Sequence, residues 1–371
     1  MVGGATAMSL EAVIQKRLSA DFSLDVTFSA PPGITIVFGA SGSGKTTLLR
    51  CLAGLTRPDA GRITVASQLL FDSTTARHVP AERRNIGYVF QHLALFPHLS
   101  VAGNLEYGLA DVPSDLRRER SRAIAASFRI GHAMDRKPGA ISGGERQRTA
   151  LARSLVTDPS LLLLDEPLTA LDHVTQTRII EDLRSWNAAH GIPILYVTHA
   201  HREVFALGER VLVLDHGRVA AEGTPYEVLE TPAHEPLAQL AGFENFFDAR
   251  VVARRTEAGT MQCRLVPTET ELEVPLSNSV PGSSIRLAIR AGDILLAIEE
   301  PRGLSARNVL LGRLASLTRE GVTSVAEVDA GARFVVRLTP SACESLRLAP
   351  GNRVWLIIKT HSCRVVSQTQ N

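Results

Sequence analysis

The sequence lacks an excess of either charge. Forty basic side chains face 38 acidic ones, a formal net charge of +2 over 371 residues. That balance gives a polyanion no purchase, so nucleic acid is not an expected partner. Long apolar runs are missing too. No stretch approaches the roughly 20 residues that a membrane helix needs. A role at a membrane is therefore expected to come through a partner. The opening residues, MVGGATAMSL, have no basic region followed by an apolar one, which argues against a secretory leader. Residues 1–8 read as a flexible terminus, with Met8 an alternative start. Cysteine is scarce. Cys51, Cys263, Cys343 and Cys363 show neither C-x-x-C spacing nor a metal-ligand pattern, and they fit a reducing, cytoplasmic compartment. What remains is an ordinary globular composition, 44% apolar, and chain enough for two or three domains.

One stretch stands out from this plain background. Gly39-Ala40-Ser41-Gly42-Ser43-Gly44-Lys45-Thr46 fits the phosphate-loop pattern G-x-x-x-x-G-K-[ST]. The apolar, β-branched run Ile34–Phe38 leads in and reads as a buried parallel strand. Thr47 to Leu52 leads out at helical spacing. The glycines let backbone N–H groups close around phosphate oxygens, and the helix start adds partial positive charge. Lys45 is expected to reach the β- and γ-phosphates of ATP and the Thr46 hydroxyl to ligate Mg²⁺.

In chain order, residues 9–38 alternate apolar and polar, with Leu10, Ala12 and Ile14, then Phe22, Leu24, Val26 and Phe28. They read as antiparallel strands. Ile86-Gly87-Tyr88-Val89-Phe90 is another buried strand, ending at Gln91. From Ser100 to Arg129 the pattern is helical, with a basic helix expected to be capped by Ser114. Ile141-Ser142-Gly143-Gly144-Glu145-Arg146-Gln147-Arg148 opens a helix and offers a second anion site, more than one nucleotide on one chain requires. Leu161–Leu164 is an apolar strand that delivers Asp165 and Glu166 to its C-terminal edge. There Asp165 is expected to hold Mg²⁺ and Glu166 to polarise the attacking water. The alternative is that both carboxylates only cap the following helix. The strand Ile192–Val197 ends at Thr198-His199, and the pair His199/His201 lacks a third metal ligand nearby.

Taken in this order and spacing, the phosphate loop, Gln91, ISGGERQR, LLLLDEP, Leu171-Asp172 and His199 resemble the ATP-binding subunit of ABC transporters. The resemblance covers residues 9–240. It implies a P-loop α/β core with an antiparallel β subdomain and a helical subdomain at about residues 92–156. It also implies a head-to-tail pair of copies, in which Ser142, Gly143 and Gly144 of one contact the γ-phosphate of ATP on the other. Leu171-Asp172 then crosses that interface, and Gln91 links Mg²⁺ and water to a membrane permease that docks on residues 91–104. His199 senses the γ-phosphate. Lys45, Gln91, Glu166 and His199 make up the expected catalytic set. Two positions depart from the family pattern, Ile141 for Leu and Glu145 for Gln. Phe22 is the candidate for stacking on adenine, with a core role as its alternative.

The last third reads differently. Residues 244–366 break into short alternating segments split by Gly, Pro and Asn, the pattern of a small all-β, OB-like barrel. Strands are expected at 246–252, 285–289, 294–298, 309–317, 322–328, 334–338 and 354–358. Ser305-Ala306-Arg307-Asn308, the Gly312 that follows and Ile358-Lys359 resemble the molybdate-binding Mop/TOBE module, at about residues 303–367. The match implies an oxyanion site built on Ser305, Arg307, Asn308 and Lys359, with molybdate as its ligand. The alternative is that Arg307 and Asn308 only organise a strand start. His361 and Cys363 stand where that family has small residues.

Together the resemblances imply the ATPase subunit of a bacterial molybdate importer, peripheral on the cytoplasmic face of the inner membrane. A periplasmic molybdate-binding protein would then be an indirect partner. Another cargo, such as sulfate, tungstate, ferric iron or sugar, is the nearest alternative. A soluble ATPase acting on nucleic acid or ribosomes lacks its usual long heptad insertion, second cassette and basic bias. An oxyanion store or sensor leaves the catalytic set unused.

Overall fold

The computed structural model describes residues 9–169, 171–230, 232 and 235–366, so the expected flexible terminus, residues 1–8, lies outside the described residues. The chain divides into two compact units, Met1–Tyr226 and Glu227–Asn371.

The first unit is built on one 11-stranded sheet. Its elements are β1 (Leu10–Arg17), β2 (Ser23–Ala30), β3 (Gly33–Phe38), α1 (Lys45–Ala53), β4 (Ala60–Val65), β5 (Gln68–Asp72), β6 (Arg77–His78), β7 (Ile86–Val89) and α2 (Val101–Glu106). There follow α3 (Ser114–Ser127), α4 (Gly143–Leu155), β8 (Leu161–Asp165), α5 (His173–His190), β9 (Pro193–Val197), α6 (His201–Leu207), β10 (Arg210–Asp215) and β11 (Arg218–Gly223). The strand order is β6-β5-β4-β1-β2-β11-β10-β3-β9-β8-β7. From β10 to β7 all pairings are parallel. β8 and β9 are buried at every position, which is why both read as unbroken apolar runs. β1 and β2 alternate buried and exposed because only one face meets the core.

Parallel pairing decides where the chemistry sits. β7, β8, β9 and β3 are consecutive neighbours, so their C-terminal ends lie side by side. Gln91, Asp165 with Glu166, Thr198 with His199, and the phosphate loop follow those four ends. Among the described residues no helix is long and apolar enough to cross a membrane. One local expectation is corrected. Helix α3 starts at Ser114, Pro113 occupies the capping position, and no side chain caps the helix. The Ser114 hydroxyl turns to Asp115 instead.

The second unit holds α7 (Glu235–Leu240), β12 (Asn245–Arg255), β13 (Thr260–Leu265), β14 (Glu271–Pro275), β15 (Ser284–Ile289), β16 (Ile294–Ala297), β17 (Asn308–Glu320), β18 (Thr323–Asp329), β19 (Arg333–Leu338), α8 (Pro340–Ser345), β20 (Arg353–Ile358) and β21 (Cys363–Val366). It begins before residue 240, where the resemblance to the ATP-binding subunit ends, and ion pairs tie its first segment to its strands. Glu230 meets Arg290 at 3.1 Å and Arg364 at 3.5 Å, and Glu235 meets Arg286 at 2.9 Å.

The two sheets of this unit are ordered β14-β13-β12-β15-β21 and β16-β20-β17-β18-β19. Each is the same pattern of four strands completed by the last strand of the other. A single buried cluster, with Leu265, Leu287 and Val251 from one sheet and Phe334, Val336 and Leu356 from the other, fills the space between them. Strands β13, β14 and β21 were not expected from the sequence. β13 and β14 interleave Met261, Cys263, Leu272 and Val274 with charged or amide side chains, which lowers their apolar content and leaves a weak signal.

Candidate functional site

The phosphate loop is held by backbone geometry that only glycine tolerates. Gly42 and Gly44 have φ of 81° and 104°. A Cβ on Gly39 would lie 2.1 Å from the Leu214 carbonyl oxygen, so no larger residue fits there. Within the loop Lys45 is almost fully buried and donates from Nζ to the carbonyls of Gly39 at 2.9 Å and Ala40 at 2.7 Å. Burial pushes its pKa down, opposed by the charges of Glu166 and Asp165. Ser43 is buried, and its hydroxyl has no protein partner.

The end of β8 completes this edge. Asp165 accepts from the Thr46 hydroxyl and from the Tyr88 hydroxyl, each at 3.2 Å. Burial raises the Asp165 pKa, and those two hydrogen bonds lower it. Tyr88 is an addition to the expected set, and its pKa is pushed up by burial beside that carboxylate. In the sequence it looked like one more residue of a buried strand. Glu166 adopts a positive φ of 45°, uncommon for a residue with a side chain. Its N–H donates to the Val197 carbonyl at 3.1 Å, and its Oε1 lies 3.3 Å from Nδ1 of His199. Asp165 and Glu166 therefore face the loop rather than cap a helix. His201 packs edge-on against Phe38, with ring centroids 5.3 Å apart.

A cavity of about 730 Å³ gathers Phe22, Ser41, Gly42, Gly44, Lys45, Thr46, Thr47, Gln91, Glu166 and His199. Phe22 is half-buried beside Gly44 at its rim, not in the core. Gly39, Ser43 and Asp165 are buried and Ala40 is exposed, and none of the four is part of this lining. Ser142, Gly143, Gly144 and Asp172 are not part of it. They form a separate surface at the starts of α4 and α5. A Cβ on Gly144 would fall 2.6 Å from Thr175 Cγ2, so glycine lets the two helix starts touch. Asp172 caps α5 by accepting from the Thr175 N–H at 3.0 Å.

Ser142 caps α4 in a box with Glu145. The Ser142 N–H and hydroxyl both donate to Glu145 Oε2 at 2.7 Å, and His132 Nε2 lies 2.7 Å from Oε1. These contacts, led by the Ser142 hydroxyl, pull the Glu145 pKa from 4.5 to about 2. A depressed carboxyl stabilises the fold above its unfolded pKa, and the gain disappears as the pH falls toward the folded value. The stability advantage of the wild type over Glu145→Gln should be full above pH 4.5 and fade between there and about pH 2. Urea unfolding of both proteins across that range checks it; an advantage that stays constant would contradict the box.

In the C-terminal unit a cavity of about 1000 Å³ brings Ser305, Arg307, Asn308, Lys359 and His361 together. Arg307 and Lys359 have no carboxylate partner among the described residues. Arg255, which shares the cavity, pairs with Glu273 at 3.2 Å. Asn308 differs from the other three expected ligands. It is buried, accepts from the Glu273 N–H at 2.6 Å and donates to the Glu273 carbonyl at 2.9 Å, so its amide organises the strand start. Cys363 lies behind it, fully buried, its thiol pushed up to about 12 by burial. All four cysteines are free thiols.

Known proteins match this geometry at the level of sequence. A family model described as ABC transporter matches residues 24–169, and one described as TOBE domain matches residues 304–365. A molybdenum import ATP-binding protein from Rhizobium etli is 40% identical over 360 residues, 95% of this chain and 99% of the relative. Its counterpart from Paramagnetospirillum magneticum is 38% identical, over 93% of this chain and 95% of the relative. Among solved structures, the dimeric ATP-binding cassette MJ0796 in a post-hydrolysis state bound to ADP and Pi is 27% identical with a TM-score of 0.50. That match covers 58% of this chain and 98% of the cassette.

Proposed function

Because the chain belongs to the molybdenum import ATP-binding proteins of the ABC transporter family, we propose that it hydrolyses ATP to drive molybdate through a membrane permease. The observation that carries this reading is the pairing, on one chain, of an intact phosphate-loop edge with a cavity where Arg307 and Lys359 have no carboxylate partner among the described residues. The first is a motor. The second fits an oxyanion with no protons to share.

In this reading ATP lies along the phosphate loop. Lys45 exchanges loop carbonyls for β- and γ-phosphate oxygens. Phe22 stacks on the adenine. Magnesium fits the donors that Thr46, Gln91 and Asp165 offer, a hydroxyl, an amide and a carboxylate, all hard oxygens. Once bound, it supplies charge to the phosphates. Glu166 takes the proton of the attacking water, and His199 holds Glu166 and meets the γ-phosphate. Ser142–Gly144 and Asp172 stand apart from this cavity, so they serve the ATP of a second copy packed head to tail. The dimeric cassette in the comparison supports that pairing. Residues 91–104 receive the permease, which holds the chain at the cytoplasmic face of the inner membrane. Ser305, Arg307 and Lys359 take molybdate in the C-terminal unit.

ATP-driven uptake tests the reading. Vesicles carrying the cognate membrane subunits, this chain and ATP should accumulate labelled molybdate, with no accumulation when ATP is left out. Accumulation of sulfate, ferric iron or a sugar in place of molybdate would overturn the cargo.

A further inference from the structure

The C-terminal unit repeats one strand pattern, and its side chains correspond as closely as its topology. Asn245 opens β12 as Asn308 opens β17. Both are buried, and each clasps the third strand of the other copy. Asn308 holds Glu273 by the two bonds described above. Asn245 accepts from the Val335 N–H at 2.6 Å and donates to the Val335 carbonyl at 2.8 Å. Lys359 and Arg290 each directly precede a three-residue 3₁₀ turn, Thr360–Ser362 and Ala291–Asp293. Arg290 is therefore the counterpart of Lys359. Glu244, next to Asn245, is the counterpart of Arg307, next to Asn308.

The copies differ in charge at that last position. Arg307 and Lys359 line one cavity with Glu271 and Glu273, but those carboxylates are held by Arg264 at 2.9 Å and Arg255 at 3.2 Å, so among the described residues neither Arg307 nor Lys359 has a carboxylate partner. An anion relieves their repulsion. In the other copy an acid replaces the arginine, and the groups satisfy one another. The Glu244 carboxylate accepts from the Ala291 N–H at 2.9 Å and lies 3.6 Å from Arg337. Arg290 is held by Glu230 at 3.1 Å, donates to the Leu229 carbonyl at 2.7 Å and covers the Phe243 ring at 4.5 Å. At the position of Arg307 a dianion would therefore meet the Glu244 carboxylate instead of a second cation.

We propose that the unit contains two copies of one anion-site framework, one presenting an open cavity at Arg307 and Lys359 and one in which the chain's own Glu244 takes the place of the anion. The plugged copy is a latent oxyanion site, and one reversal of charge sets the capacity at one oxyanion per chain. The proposal rests on reading the open cavity as an oxyanion site.

Calorimetric titration of the full chain with sodium molybdate tests both statements separately. The wild type should bind one molybdate per chain, and Arg307→Ala should weaken that binding at least tenfold. Glu244→Arg should bind two, the first with unchanged affinity, which also shows that the unit is folded. If Glu244→Arg fails to fold, Glu244→Gln keeps an acceptor for the Ala291 N–H, removes the charge, and should show the second event. Two sites in the wild type, or a single site in a folded Glu244 variant, would overturn the plugged copy and leave the open cavity standing. No binding to the wild type would remove the oxyanion reading, and the proposal with it.

Discussion

Glu166→Gln keeps ATP, loses turnover by about 10²–10⁴-fold and accumulates as a closed pair of chains. The size follows from the role. A positioned base takes a proton from water in the transition state, and an amide of the same shape cannot. The position follows from the backbone. β8 ends at Asp165, and the next residue turns into a positive φ that aims its carboxylate at the cavity. His199 then fixes that carboxylate at 3.3 Å. Binding should not suffer, because Glu166 places negative charge where the phosphates go and its removal lessens repulsion. In the proposed reading hydrolysis reopens the pair, so a chain that binds without hydrolysing should stay shut. Nucleotide-binding and phosphate-release assays on the purified variant check both halves. Turnover within tenfold of wild type would remove Glu166 as the base.

Lys45→Ala should lose ATP by on the order of a thousandfold in Kd. The loop's only lysine is almost fully buried, and its ammonium is satisfied by two loop carbonyls. Phosphate oxygens offer the same donors a stronger partner. Removing one side of a buried, hydrogen-bonded charge pair costs about 3–5 kcal/mol, which sets the scale. The loop itself should survive, since its course depends on Gly39, Gly42 and Gly44. Equilibrium binding of a fluorescent ATP analogue measures the loss, and nucleotide affinity equal to wild type would contradict the placement of Lys45.

Much of the geometry of the phosphate-loop edge was legible in the sequence because its parts depend on local backbone chemistry. Glycines at fixed offsets, a lysine after them and carboxylates after an apolar strand leave few alternatives. Parallel pairing then brings strand ends together without further information. Tyr88 was hidden because a tyrosine in a buried strand looks like core until the neighbouring strand supplies Asp165. The box of Ser142 with Glu145 explains why an acid is accommodated where the family has glutamine: the carboxylate takes two donors from Ser142 and meets His132. In the C-terminal unit β13 and β14 were hidden because charged and amide side chains interleave their apolar residues. Asn308 carried a motif match, yet its amide is committed to Glu273, a contact between strands that are remote in sequence. The correspondence of Glu244 with Arg307 was invisible for a similar reason. Two aligned asparagines reveal it only after the exchange of β16 and β21 is known.

The central claim is that the phosphate loop is half of a site and that Ser142–Gly144 of a second copy complete it. Mixed pairs decide this. A Lys45→Ala chain and a Ser142→Arg chain, each with Glu166→Gln to hold ATP in place, are assembled and the ATP retained per pair is counted. Head-to-tail packing puts both lesions in one site and leaves the other intact, so one ATP should remain. If each chain completed its own site, both sites would be damaged, and a mixed pair that retains none would contradict the account.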